Sequence, residues 1–166
     1  MLILTLNFET TACRGTTILR GSTGVISSPN YPRNYPSWSN CRWKIIAPAG
    51  YKFIIIQFND FRLESGGSSC SYDYVEIRDG GLPTSPLLNK LCGTKRNQFV
   101  VSRGSVVYVR FRSDGSANFK GFRAVWRAGS SMQGRYYSYC SLYKTWSRNQ
   151  GCIKMLVTAL QRPRTK

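Results

Sequence analysis

Histidine is absent from the sequence. Without it a Ser-His-Asp or Cys-His nucleophile cannot be assembled, nor can a His-ligated zinc site. Acidic residues are scarce as well, 7 Asp and Glu against 24 Lys and Arg, and no pair of them is spaced as the two carboxylates of a glycosidase. The chain is therefore expected to be non-enzymatic. None of the six cysteines forms a C-x-x-C pair, which argues against a zinc knuckle and a thioredoxin-like redox motif. No apolar run reaches the roughly 18 residues of a membrane-spanning helix. The apolar start, Met1 to Leu6, lacks a basic flank and is short for a secretion signal, so residues 1–12 read as a truncated signal or a linker. There is no N-x-Ser/Thr sequon, so glycosylation adds nothing to the case for secretion.

What is present is positive charge. The formal net charge is +17, and between residues 13 and 127 basic residues outnumber acidic ones 17 to 6. Such a surface attracts polyanions over a Debye length and does so in a salt-dependent way. A sulfated glycan, an acidic membrane surface and nucleic acid all fit that description. The cysteines, Cys13, Cys41, Cys70, Cys92, Cys140 and Cys152, are even in number and well separated. This suits structural disulfides in an oxidising compartment. Six buried thiols in a reducing one are the alternative that the count alone leaves open.

From Cys13 to Arg127 short segments rich in Val, Ile, Tyr, Phe and Trp are separated by turn residues. Strands are expected at 16–20, 25–27, 41–47, 52–58, 74–78, 98–102, 105–112 and 121–126. Turns are expected at Pro29-Asn30-Tyr31-Pro32, Pro48-Ala49-Gly50, Asp79-Gly80-Gly81 and Asp114-Gly115-Ser116. Val107, Val109 and Phe111 alternate with Tyr108, Arg110 and Arg112, and Val75 and Ile77 alternate with Tyr74, Glu76 and Arg78. One face buried and one face wet is the pattern of an antiparallel β-sandwich, so the fold class is all-β. After Arg127 the composition changes. Residues 128–166 carry basic residues and no acid, with Tyr136, Tyr137, Tyr139, Tyr143 and Trp146 crowded together. The segment reads as a basic C-terminal tail with a short helix at 153–161. Stacking plus phosphate contact is the nucleic-acid reading of such a composition, without sequence specificity.

Several blocks in order carry a resemblance. They are Gly24 to Pro32, Tyr35-Pro36, Cys41-Arg42-Trp43, Cys70-Ser71-Tyr72-Asp73-Tyr74-Val75-Glu76-Ile77-Arg78-Asp79-Gly80, Leu91-Cys92-Gly93, Phe111 to Asp114 and Gly121 to Trp126. Together they resemble the CUB domain family over residues 13–127. The resemblance implies a jelly-roll-like β-sandwich with disulfides Cys13–Cys41 and Cys70–Cys92, which leaves Cys140–Cys152. It also implies a calcium ion held by Glu64, Asp73 and Asp114, with a carbonyl near Ser116 and waters completing the shell. Calcium takes about six to eight hard oxygen ligands at flexible distances, so carboxylates from separate loops suit it. The stretch from Glu64 to Asp73 is longer than the family pattern leads one to expect, with Gly66-Gly67 placed to absorb the extra length. Calcium-holding members of the family commonly receive a Lys or Arg of an extracellular protein partner at this site.

The functional expectation is thus a secreted, extracellular, non-catalytic module for calcium-dependent protein binding. Tyr31, Tyr35, Trp38 and Tyr72 are candidate interface anchors, since exposed aromatics near loops often serve so. Arg42, Lys44, Arg110 and Arg112 are expected to face outward, and on one sheet face they would form a patch for sulfated glycosaminoglycan. A metal-independent glycan binder is accordingly the alternative. A non-catalytic piece of an extracellular protease that carries such domains is another.

Overall fold

The structure, a computed structural model, describes residues 13–130. Within them lie ten strands: β1 (Thr16–Arg20), β2 (Thr23–Ser27), β3 (Asn40–Ile46), β4 (Phe53–Arg62), β5 (Tyr74–Asp79), β6 (Leu87–Leu91), β7 (Thr94–Lys95), β8 (Gln98–Val101), β9 (Val106–Arg112) and β10 (Gly121–Gly129). A single 3₁₀ turn at Gly67–Ser69 is the helical element among the described residues. The strands form two sheets. One has the order β1-β3-β9-β5-β6; the other has the order β2-β10-β4-β7, with β8 also paired to β4. The described domain is an all-β sandwich, as the alternating segments predict, and it continues past Arg127 to the end of β10.

Alternation builds the core. On β3 the buried residues are Cys41, Trp43 and Ile45; on β9 they include Val107, Val109 and Phe111; on β10 they include Phe122, Ala124 and Trp126. Period-2 side chains from both sheets thereby meet between the layers. Phe122 sits at the centre of an aromatic cluster, with ring centroids 5.7 Å from Phe58, 5.7 Å from Phe111, and 6.1 Å from Phe61 and Trp43. Gly121, just before it, has φ +81°, and a Cβ there would overlap Ser28 Oγ. That hydroxyl accepts the Phe122 N–H at 3.0 Å, so glycine lets a buried serine tie the two strands. Cys13–Cys41 and Cys70–Cys92 are bonded, as the family resemblance implies. Cys140–Cys152 and the 153–161 helix lie outside the described residues.

Three features depart from expectation. First, β1 and β3 pair in parallel, Thr16 opposite Arg42 through Arg20 opposite Ile46, although the sheets were expected to be antiparallel. The intervening β2 belongs to the other sheet, so the chain crosses the sandwich and returns in its original direction. Second, β6 and β7 are strands that no alternation in their own residues announces. Leu87-Leu88-Asn89-Lys90-Leu91 has no β-branched residue, and its pairing with β5 is what makes it a strand. Third, the outer face of the first sheet is not wholly wet. Tyr74, Glu76 and Tyr108 are buried beneath neighbours on that face. Tyr108 lies between Lys44 and Arg78, and Glu76 between Arg110 and Lys90, so long cationic stems cover them.

Candidate metal centre

β5 and β9 are antiparallel neighbours, with Tyr74 opposite Arg112. The start of β5 and the end of β9 therefore lie side by side, which places Asp73 next to Asp114. Glu64 arrives from the facing sheet. Beyond Arg62 the β4 ladder runs on through Leu63 N–H to Gly93 C=O at 2.9 Å and Gly93 N–H to Glu64 C=O at 3.1 Å. Carboxylate oxygens of Glu64, Asp73 and Asp114 lie within 4.8 Å of one another.

Each carboxylate is held differently. Asp73 is fully buried. Its Oδ1 accepts the Asp114 backbone N–H at 2.8 Å, and its Oδ2 accepts the Tyr35 hydroxyl at 2.5 Å. The Tyr35 oxygen in turn accepts the Glu64 backbone N–H at 3.2 Å. Tyr35 thus joins two of the three ligand positions, and its ring is fixed edge-on against Phe111 with centroids 5.1 Å apart. Burial and the bond to Asp73 hold its hydroxyl proton far above the ordinary tyrosine value. Asp114 Oδ1 accepts the Ser116 backbone N–H at 3.0 Å, which sets the turn that carries it. Glu64 Oε2 is buried with no hydrogen-bond partner among the described residues.

The electrostatics are unfavourable for three bare carboxylates. Burial, then repulsion from Asp114 and Asp73, raises the Glu64 pKa above its usual 4.5. Burial also raises Asp73 above 3.8, against the lowering effect of the Tyr35 and Asp114 hydrogen bonds. Among the described residues the ion pairs are Arg78–Glu76 and Lys120–Asp60, so no basic side chain neutralises this trio. An orphaned buried oxygen, like charges in contact and hard donors from three loops are the chemistry that a divalent cation answers. The residues fit calcium.

The long loop before Asp73 closes on itself. Cys70 N–H reaches Gly67 C=O at 3.3 Å and Ser71 N–H reaches Gly66 C=O at 3.2 Å. A Cβ on Gly66 would strike the Ser71 and Tyr72 backbone, and Gly67 has φ +69°. The two glycines thus permit this tight turn, and Asp73 beyond it meets Tyr35 and Asp114.

The remaining candidates separate. Tyr35, expected as a surface anchor, is 1% exposed and supports the carboxylates from beneath, because its hydroxyl is drawn to Asp73. Tyr31 is partly buried and its hydroxyl donates to Asp60 at 2.9 Å; Asp60 also pairs with Lys120 at 2.6 Å. Burial would raise the Asp60 pKa, but those two partners outweigh it and lower it. Trp38 and Tyr72 remain exposed, 75% and 51%. The Trp38 ring lies over Gly115, and its backbone N–H donates to Asp114 C=O at 2.8 Å, so an open indole borders the trio. Sequence reasoning did not single out Trp38's contact with the acidic turn or the Asp60–Lys120 pair. Arg110 and Arg112 lie on the outer face of the five-stranded sheet, in register with Arg42 and Asn40 respectively.

The described residues form a disulfide-stapled β-sandwich with a carboxylate trio at one rim, the architecture that comparison with known proteins also finds. The CUB domain family matches residues 13–126, and the chain belongs to it. It is 40% identical over 119 residues to cubilin of the dog, covering 72% of this chain and 3% of cubilin. A solved structure of the full extracellular region of zebrafish Gpr126/Adgrg6 is 35% identical, with a TM-score of 0.62, covering 73% of this chain and 15% of that one. The crystal structure of the MASP-1 CUB2 domain bound to Ca2+ is 31% identical, with a TM-score of 0.59, covering 68% of this chain and 97% of that one. CUB domains are in general non-catalytic modules of extracellular proteins that mediate protein interactions. No helix among the described residues is long and apolar enough to cross a membrane.

Proposed function

We propose that the chain is a secreted recognition module whose partner-binding rim is organised by calcium at Glu64, Asp73 and Asp114. The Ser116 carbonyl and waters would complete the ion's shell. The observation that carries this reading is the buried, unpartnered Oε2 of Glu64, whose carboxylate is grouped with two others. When bound, calcium supplies the missing positive charge and fixes the three loops to one another. Tyr35 orients Asp73 and the Glu64 backbone from below, while Trp38 and Tyr72 stay open to a partner.

The partner chemistry that suits the rim is a Lys or Arg of an extracellular protein. A carboxylate cluster offers it charge-assisted hydrogen bonds, and an indole face beside it offers a cation–π contact. The domain's positive charge opposes long-range approach of such a ligand, but salt screens the distant charges and leaves the contact itself.

Isothermal titration of the full chain with calcium tests the ion site. One ion per chain is expected, and Asp114→Asn should weaken binding at least 10-fold. An unchanged affinity in that variant, or no heat at all with the wild type at millimolar calcium, would remove the metal from the account.

A further inference from the structure

The outer face of the β1-β3-β9-β5-β6 sheet carries several cations. Cys41, Trp43 and Ile45 point inward from β3, so Arg42 and Lys44 point outward; by the same alternation Arg110 and Arg112 point outward from β9. Arg78 and Lys90 share that face through their register with Tyr108 and Glu76. The one acid of the row, Glu76, is already taken by Arg78 at 3.2 Å. Arg42 and Arg110 stand directly opposite each other in the ladder. Like charges in that position are unfavourable. Arg110 leans on the neutral Asn40 Oδ1 at 2.9 Å, while Arg42 and Lys44 have no hydrogen-bond or ion-pair partner among the described residues.

These cations border a groove of about 460 Å³. Arg42, Lys44 and Arg110 line it, and no acid does. Tyr108 is buried at its floor, and Ile18, Leu82 and Pro83 form its apolar parts, with Ile18 and Leu82 more than half exposed. From this geometry we infer a second binding surface, separate from the carboxylate rim and independent of calcium, that takes a sulfated glycan.

Two features favour a glycan over an acidic peptide. The cations are spread in rows over four strands, β3, β9, β5 and β6, about 14 Å across at ordinary strand spacing, rather than converging on one point. That arrangement matches a linear chain with anionic groups on successive sugars, whose ring faces can lie on Ile18, Leu82 and Pro83. A peptide strand could add only at the β1 edge of the groove, away from Arg110, because β3, β9 and β5 are interior strands.

The test uses the full chain, a heparin-derived hexasaccharide and EDTA throughout. The triple variant Arg42→Gln/Lys44→Gln/Arg110→Gln is expected to lose at least 10-fold in affinity while its calcium affinity stays unchanged. Lys44→Gln alone, a milder change, should lose about 3-fold. A variant with every Lys and Arg of residues 131–166 changed to Gln should lose less than 3-fold. The inference is overturned if binding survives the groove variants, follows the tail variant instead, or persists undiminished with a desulfated hexasaccharide. Equal groove-dependent affinity for polyglutamate would also overturn it in favour of an acidic peptide. Failure of calcium binding would leave this surface untouched, since the assay contains none.

Discussion

Replacing Cys70 and Cys92 together by serine is expected to cost about 3 kcal/mol of stability and to weaken calcium binding. The energetic part follows from chain entropy. The two residues are separated by 22 positions, and closing a loop of that order restricts the unfolded chain by roughly 3 kcal/mol. The functional part follows from where the bridge lies. Asp73 is attached to the loop that Cys70 anchors, and Gly93, next to Cys92, makes both hydrogen bonds that carry Leu63 and Glu64 beyond β4. Cutting the bridge frees two of the three ligand-bearing segments at once. The Cys13→Ser/Cys41→Ser variant is the control, because Cys41 lies within β3 and no rim carboxylate hangs from it. Urea denaturation should show a loss of similar size in both variants, and calorimetry should show weakened calcium binding only in the first. Equal calcium affinity in the two would mean that the rim is held without the Cys70–Cys92 tether.

Calcium at about 100 times its dissociation constant is expected to stabilise the folded state by about 2.7 kcal/mol, through mass action on a site that exists only in that state. In a domain of this size the melting temperature should rise by roughly 10 °C. Glu64→Gln should abolish the rise while leaving the metal-free protein at least as stable as the parent at neutral pH. That second expectation comes from the raised pKa values. Folded Glu64 and Asp73 keep their protons to higher pH than the same groups in the unfolded chain. Above the ordinary values of 4.5 and 3.8 the folded state therefore binds more protons than the unfolded one, and their contribution to metal-free stability declines as pH rises through that window. Calcium reverses the sign, because it needs the carboxylates ionised. The calcium-induced shift should grow from pH 4 to neutrality. A shift that is constant over that range would place the ion elsewhere.

Much of this architecture is legible along the chain. Strands such as β3 and β9 announce themselves because inward apolar residues alternate with outward ones over most of their length, and the Pro48-Ala49-Gly50 and Asp114-Gly115 turns mark where they end. β6 does not, because Leu-Leu-Asn-Lys-Leu owes its conformation to β5 rather than to its own residues. The parallel β1–β3 pair is likewise hidden, since it depends on β2 having crossed to the other layer. The acidic trio was visible only through ordered family motifs; Glu64, Asp73 and Asp114 have no local pattern that joins them. Tyr35 shows the limit most clearly. Tyr31 and Tyr35 both precede proline, yet one bonds Asp60 near the surface and the other is sealed beneath Asp73, 38 residues away. Contacts of that separation are decided by packing and not by local sequence. The outer sheet face was half legible. Alternation placed the arginines outward, but not the covering of Glu76 and Tyr108 by the side chains beside them.

The most direct check is a crystal of the full chain grown with calcium, with the ion located by anomalous scattering. A single peak should appear with oxygens of Glu64, Asp73 and Asp114 at about 2.3–2.6 Å. Density there explained by a lysine or arginine side chain, or no ion among the three carboxylates at saturating calcium, would contradict the account.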